Sequence, residues 1–348
     1  MENSRFSICI PNYNYGIYLD KTLNSVKAQT FQDYEVVIAD NNSTDNSLEV
    51  IEKWAKTMPN LSFKQNLTNI GFAGNLDICG GMATGDWMVL LSSDDIINPN
   101  ALEVYNQLIQ IVEKEFSEES FVISSNLDKI GSNDEFIECI ELSKGSIYKV
   151  SDIDKNLSEK LGLTVYKVKT DDLLNRCFHK FCNPFNFAAA CYPSTSYKMV
   201  GGYGGSRIMN PDKWFHWRIL SKVDYAYIID KPLFKYRWHN SNQTAQLNSS
   251  GELKFWIDEY RNCYEPDASM LNKAGLTKDM MKTAFCTHLL KYVVVAIKEK
   301  DKNFASRLFK LGQALYPNEF YKNKLYPKVL ILLKSYPLST ILLKKLLK

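Results

Sequence analysis

The sequence predicts an α/β fold built on a mainly parallel sheet flanked by helices, with a helical appendage at the C-terminal end. Three observations carry this. Over the first hundred residues short apolar runs alternate with amphipathic stretches, separated by short links, and strand–helix–strand units of that kind build parallel sheets. Three of the apolar runs stop at polar clusters, "PNYN", "DNN" and "SSDD", as strands do where they reach a ligand-binding edge. The chain, at 348 residues with 45% hydrophobic residues, can bury one large core or two ordinary ones.

The elements follow in order. "RFSICI" (5–10) reads as a strand closed by Pro11. Leu19, Leu23 and Val26 recur at helical spacing within 17–29. "YEVVIA" (34–39) is a second strand. Ser43 or Thr44 can cap the next helix, whose apolar face uses Leu48, Ile51 and Trp54. "LSFKQ" (61–65) is a weaker third strand, and "NIGFAGN" leads into a helix over 76–83. "WMVLL" (87–91) is the strongest strand. Beyond it Pro99 opens a helix that Asp95 or Asn98 can cap. Residues 101–183 carry a weak pattern in which "EKEFSEES" and "DKIGSNDEF" read as surface links or hairpin turns. In "NPDKWFHWRIL" Asn210 caps a helix, Pro211 takes its first position, Asp212 sits in its first turn, and Phe215, Ile219 and Leu220 face inward. "MMKTAFCTHLLKYVVVAI" and "DKNFASRLFKLGQAL" are helices of the appendage, which spans 245–348.

Charge and composition narrow the function. A net charge of +3, with no basic run interleaved with aromatics, argues against nucleic-acid binding. The N-terminus lacks the basic and apolar regions of a signal peptide. The eight cysteines form no CxxC, and "CFHKFC" matches no common zinc spacing, so they read as buried thiols in a reducing cytoplasm. No stretch has the ~20 apolar residues of a membrane span. The tail is unusual: lysines at 322, 324, 328, 334, 344, 345 and 348, no acid, and "VLILL" and "TILLKKLL" between them. It can lie on the anionic inner face of a membrane or pack its leucines on the domain.

Asp94 and Asp95 pose the chemical question, because adjacent carboxylates raise each other's pKa. Adjacent parallel strands bring "PNYN", "DNN" and "SSDD" to one edge, so the pair shares a crevice with Tyr13 and Asp40. The first strand's turn, "PNYNYG", lacks GxGxxG, and no GxxxxGK[ST] occurs. A divalent cation, Mn²⁺ or Mg²⁺, on the two carboxylates would hold a phosphate in place of a glycine loop.

At these residues the sequence resembles the family 2 glycosyltransferases of GT-A fold, over residues 7–244. The resemblance rests on the ordered set "SICIPNYN", "VVIADNNSTDNS", "NIGFAGN", "GDWMVLLSSDD", "GGY…NPDKWFHWRI" and "YRWH". It implies a nucleotide-binding half over 1–100 and an acceptor half over 101–244. It implies a nucleotide-sugar donor, most often a UDP-sugar, a divalent metal, inversion at the anomeric carbon, and a glycan or lipid-linked glycan acceptor in surface-polysaccharide synthesis.

By position, Pro11, Asn12 and Tyr13 line the base, Asp40 contacts uracil or ribose, and Asn42 and Asn75 belong to the same donor loops. Asp94 contacts sugar or ribose. Asp95 ligates the metal, His239 contacts metal or diphosphate, and Arg237 balances the diphosphate. Asp212 is the catalytic base, ionised near neutral pH at its helix start. Gly201 and Gly202 form a turn or relieve crowding near the donor sugar. Trp214, Trp217 and Arg218 brace, and either tryptophan can offer a face to a sugar. The chain departs from the family pattern at Ser92, where many members have an aspartate, at Gly74, where many have an arginine, and at Pro211, where a glutamate is usual. Those departures keep open a catalytically degenerate nucleotide- or carbohydrate-binding module. A nucleotidyltransferase on a similar sheet would need the basic, glycine-rich turn that "PNYNYG" does not provide.

Overall fold

The computed structural model describes residues 4–116, 119–145, 147–204, 209, 211–240, 242 and 252–336. It comprises two compact units, one of Met1–Leu174 and Asn183–Asp258, the other of Asn175–Cys182 and Glu259–Lys348.

In chain order the strands are β1 (Phe6–Asn12), β2 (Tyr34–Asp40), β3 (Leu61–Gln65), β4 (Trp87–Leu90), β5 (Ile96–Ile97), β6 (Phe121–Ile130), β7 (Phe136–Ile140), β8 (Val165–Lys169), β9 (Ala190–Pro193) and β10 (Tyr225–Arg237). The helices used below are α1 (Gly16–Lys27), α2 (Ser47–Ala55), α3 (Phe72–Met82) and α4 (Ala101–Glu115).

The sheet runs β3-β2-β1-β4-β9-β6-β10-β5, with β7 on β6 and β8 on β10. Its first four strands are parallel. Every β1 residue is buried, as expected of a strand covered by helices on both faces. The register sets Asn12 beside Asp40, so the ends of β1 and β2 emerge together. From β9 onward the sheet becomes mixed: β9 is antiparallel to β4 and β6, while β10 is parallel to β6.

The strand before "WHN" is not the edge segment its sequence suggests. β10 is 13 residues long and bonds β6 along one side, while β8 and then β5 share the other. The break at Pro232, a register shift against β6, marks the changeover.

α1 buries Leu19, Leu23 and Val26 as expected. α2 starts later than expected, after Asn46. Ser43 and Thr44 cannot cap it, because Ser43 bonds the Asp40 carboxylate and the Thr44 amide bonds Asn14 Oδ1. Neither Asp95 nor Asn98 caps α4, which begins after Asn100; the Asn98 amide instead donates to Pro232 O at 3.0 Å. "DKIGSNDEF" is the hairpin turn joining β6 to β7, closed by Gly131 N–H on Glu135 O at 2.8 Å. Phe6, Ile8, Ile38, Val89, Leu108, Ile123 and Phe234 belong to one continuous core on one side of the sheet.

The second unit is helical. Asp267, Thr277 and Asp301 each cap a helix through the side-chain oxygen, offsetting backbone N–H groups that would otherwise go unpaired. Among the described residues one helix, Lys278–Lys298, is long and apolar enough to cross a membrane, and 56% of its apolar window is buried within the structure. Tyr326–Lys334 buries Val329 and Leu332 and exposes Lys328, Ile331 and Lys334. Pro337, Lys344, Lys345 and Lys348 of the tail lie outside the described residues, as does the Asn210 cap. None of the eight cysteines forms a disulfide; Cys139 and Cys182 are only half-buried, the others fully so.

Candidate active site at the carboxyl edge of the sheet

The ends of β1, β2 and β4 and the start of α3 enclose a cavity of about 490 Å³. Pro11, Asn12, Tyr13, Asn14 and Tyr15 line it from β1, Asn41 from β2, Asn69, Gly71, Phe72 and Asn75 from the α3 entry, and Ser92 and Ser93 from the loop after β4. The three polar clusters of the sequence therefore share one edge. The lining holds no charged side chain, so a ligand there meets amides, hydroxyls and the aromatic faces of Tyr13, Tyr15 and Phe72.

Asp40 does not reach this cavity, contrary to its expected contact with a base or ribose. It is fully buried, and its oxygens accept from Asn12 Nδ2 (2.8 Å), Ser43 N (3.0 Å), Ser43 Oγ (2.6 Å) and Gln65 Nε2 (3.3 Å). A carboxylate in that state accepts only, so the Asn12 amide nitrogen must face it, which fixes the orientation of Asn12. Asn42 is exposed, with a left-handed backbone (φ 63°), and its neighbour Asn41 takes the place in the lining. Asn41 bonds Asn69 and Asn66. Asn66 bonds Asn75 Oδ1, and Asn75 Nδ2 closes the network on Ala39 O at 2.8 Å. This amide network was missed in the sequence. Its signal was the density of asparagine at 41, 66, 69 and 75, where no single motif stands out.

Asp94 and Asp95 are both buried. Asp95 Oδ1 accepts the Arg237 backbone N–H at 2.9 Å. Asp94 Oδ2 meets His239 Nε2 at 3.0 Å and Asn242 Nδ2 at 3.2 Å. Burial drives the Asp95 carboxyl well above the usual carboxylate range, the Asp94 charge adds to this, and the Arg237 amide and guanidinium oppose it. The end of β10 thus supplies the positive and donor groups that the sequence around the pair lacks. His239 stacks on Tyr18 with ring centroids 4.8 Å apart.

Arg237 is placed differently from its expected role as a diphosphate cation. Its side chain is fully buried. The guanidinium bonds Asp94 O through Nε (2.8 Å) and Gly131 O and Ser132 O through Nη1 (3.2 and 3.3 Å), and it pairs with Asp134. A buried guanidinium seeks partners within the protein; here Nε and Nη1 find them on backbone carbonyls and a carboxylate, while Nη2 is buried with no hydrogen-bond partner among the described residues.

Asp95 and His239 offer a carboxylate oxygen and an imidazole nitrogen, donors that suit Mn²⁺ or Mg²⁺. Asp95 Oδ2 takes no part in the bond to Arg237. No cluster of three His, Cys, Asp or Glu side chains that could hold a metal occurs among the described residues. The donor set therefore fits a site completed by substrate oxygens rather than a closed cage.

Asp212 lies in the first turn of the helix Pro211–Leu220. Its Oδ1 is buried and has no hydrogen-bond partner among the described residues. Burial pushes its pKa up to about 7, with the Tyr203 hydroxyl pulling it back in part. This corrects the expectation of a carboxylate well ionised at neutral pH: desolvation outweighs the favourable helix start.

The Gly201–Gly202 turn, with φ of 71° and 64°, delivers Tyr203. Asp77 holds that turn through the amides of Tyr203 (2.6 Å) and Gly204 (3.0 Å). Arg218 braces it on the carbonyls of Val200, Gly202 and Tyr203. Trp217 is fully buried and offers no face to a sugar, whereas Trp214 is only half-buried. His216, held neutral by burial that lowers its pKa to about 3, bridges Tyr192 and Asn183.

A parallel β3-β2-β1-β4 half with a cavity at its carboxyl edge, a carboxylate pair after β4 and a mixed second half define a GT-A fold. Residues 7–114, about a third of the chain, match Glycosyl transferase family 2. The chain is similar to an uncharacterized glycosyltransferase of Nostoc sp., 35% identical over 134 residues, 38% of this chain and 40% of that one. It is similar to the poly(ribitol-phosphate) beta-N-acetylglucosaminyltransferase TarS of Staphylococcus aureus, 35% identical over 102 residues, 28% of this chain and 18% of that one. The chain thus spans well under two thirds of these relatives. Crystallised TarS 1–349 with UDP-GlcNAc superposes with a TM-score of 0.62 at 18% identity, covering 98% of this chain and 92% of that one. A mannosyltransferase from Pyrobaculum calidifontis, solved with GDP-Man and Mn²⁺, gives 0.50 at 14% identity, covering 98% and 87%. At these identities the structural likeness is one of fold.

Proposed function

We propose that the protein is a metal-dependent, inverting glycosyltransferase that moves one hexosyl or N-acetylhexosaminyl group from a nucleotide-sugar, most readily a UDP-sugar, to a hydroxyl of a glycan or lipid-linked glycan in surface-polysaccharide synthesis. The observation that carries it is the uncharged, amide-lined cavity at the sheet's carboxyl edge, in a chain whose next loop buries two carboxylates under a histidine. In this reading the base lies by Pro11, Asn12 and Tyr13, with Asp40 and Asn75 bracing that wall. Asp94 faces the donor sugar or ribose. Asp95 and His239 would hold the Mn²⁺ or Mg²⁺, which would supply positive charge to the leaving diphosphate.

The acceptor oxygen attacks the anomeric carbon and the bond to the diphosphate oxygen breaks. The nucleoside diphosphate departs with that electron pair, and the hydroxyl proton passes to Asp212. A base titrating at about 7 is matched to this task near neutral pH. The basic tail holds the protein peripherally at an anionic membrane face in the cytoplasm, near lipid-linked acceptors.

A thermal-shift panel of UDP-, GDP- and dTDP-sugars with Mn²⁺ tests the donor class, because a ligand that binds only the folded state raises apparent stability with its concentration. A UDP-sugar is expected to give the largest rise. No rise with any of them would overturn the reading.

A further inference from the structure

Every backbone carbonyl of the loop Ser93–Asp94–Asp95 is held by a side chain from elsewhere. Thr22 Oγ1 of α1 donates to Ser93 O (3.0 Å) and Asp95 O (2.8 Å). Arg237 Nε donates to Asp94 O (2.8 Å), and its own backbone N–H holds the Asp95 carboxylate (2.9 Å). One residue at the end of β10 therefore grips both the backbone and a side chain of the carboxylate pair. The same guanidinium extends to the β6–β7 hairpin, donating to Gly131 O and Ser132 O and pairing with Asp134 Oδ1 at 2.5 Å.

Asp134 has a left-handed backbone (φ 71°), which aspartate tolerates better than most residues. Its other oxygen pairs with Lys21, next to Thr22 on α1. Its side chain is 47% exposed while that of Arg237 is fully buried. The hairpin turn thus sets a surface carboxylate over a buried cation that Nη1 ties to the hairpin and Nε to the carboxylate loop.

We propose that Arg237 is a positioning residue for Asp94 and Asp95, and that the 131–135 hairpin turn, through Asp134, fixes Arg237 in that role. It acts through the pair and touches no substrate. The inference deepens the transferase reading and rests on it for its consequence in metal and nucleotide binding. A lysine at 237 retains the charge but has no planar fork to span Asp94 O and the hairpin carbonyls together. Removing Asp134 leaves the buried guanidinium without its counter-charge, and the guanidinium then has reason to move.

The test uses the full-length chain as wild type, Arg237→Lys, Asp134→Ala and Lys21→Ala, the last being a control that keeps the Arg237–Asp134 pair. Two quantities are measured: backbone hydrogen exchange over 92–97, and calorimetric UDP affinity with Mn²⁺ and with EDTA. Expected for Arg237→Lys is exchange over 92–97 faster by about tenfold, the signature of local opening. The Mn²⁺-dependent part of UDP affinity falls by a similar factor, while affinity in EDTA stays at the wild-type value. Asp134→Ala shifts both the same way by a smaller factor, and as a change at a half-exposed side chain it serves where Arg237→Lys fails to fold. Lys21→Ala changes neither.

Wild-type exchange over 92–97 in Asp134→Ala and in any folded Arg237→Lys overturns the proposal. So does exchange that rises equally across the sheet while both affinities fall together, which is ordinary loss of fold. A wild-type chain that binds no UDP under either condition sinks the transferase reading instead, and the exchange measurement still decides the role of Arg237.

Discussion

Asp212 and Asp95 are both carboxyls that burial drives upward, but their surroundings answer it differently. Asp95 receives an amide and lies near a guanidinium, while Asp212 has an unpartnered oxygen among the described residues and a tyrosine beside it. The second environment suits a group that must take up and release a proton. With a folded pKa near 7, the rate at subsaturating donor is expected to rise with pH and level off above about 7.

Asp212→Asn keeps the shape and loses the proton affinity. UDP binding is expected to persist while kcat falls by about 10²–10⁴-fold; near-normal kcat in a folded variant would move the base elsewhere. Stability follows with the opposite sign. A carboxyl whose folded pKa lies above its unfolded one costs stability, and that cost grows as pH rises from the unfolded pKa through 7. Asp212→Asn should therefore melt higher than wild type at pH 8, with a smaller advantage at pH 5.

The sequence identified Asp40 and Arg237 as site residues by position. Neither lines the cavity: the Asp40 oxygens are taken up inside the protein, and Arg237 commits Nε and Nη1 there. One sequence shows which polar residues reach an edge but not which of them satisfy one another there. Asp40→Asn puts a donor against Asn12 Nδ2 and Ser43, and should cost about 1–3 kcal/mol along with nucleotide affinity. Equal chemical-denaturation midpoints for variant and wild type would show that Asp40 is no brace.

At the scale of elements, β1, β2 and β4 are legible because each is a short apolar run ending in a polar cluster, and the weaker β3 because a parallel pairing leaves few alternatives. The start of α2 was misread because Ser43 and Thr44 satisfy tertiary partners rather than the helix. β10, with a proline and two lysines, has the composition of an edge strand. Its two halves in fact meet different neighbours, with Pro232 at the join. The turn at Gly202 is the element that carries Tyr203 toward Asp212. With φ at 64° and an added Cβ only 2.3 Å from Asp77 Oδ1, Gly202→Ala should lower stability by about 1–3 kcal/mol. It should also lower kcat more than it weakens UDP binding, since the donor wall stands on β1 and β2. An unchanged kcat would separate this turn from the chemistry.

At the scale of the whole molecule, the tail was read as either membrane-seeking or packed. Tyr326–Lys334 buries Val329 and Leu332 while Lys328 and Lys334 stay exposed. Lys322 and Lys324 are exposed as well, and each lysine near an anionic surface contributes about 1 kcal/mol. Replacing Lys322, Lys324 and Lys328 by glutamate spares the packed leucines. It should abolish co-sedimentation with phosphatidylserine vesicles at low salt, and equal sedimentation of variant and wild type would remove the membrane role.

The transferase account as a whole meets its most direct test in one measurement: release of UDP from UDP-sugars by the full chain with Mn²⁺, with EDTA, and with Asp95→Ala in Mn²⁺. It predicts turnover with Mn²⁺ that is lost in EDTA and in the variant. Undiminished release of UDP by Asp95→Ala in metal-free buffer would contradict it.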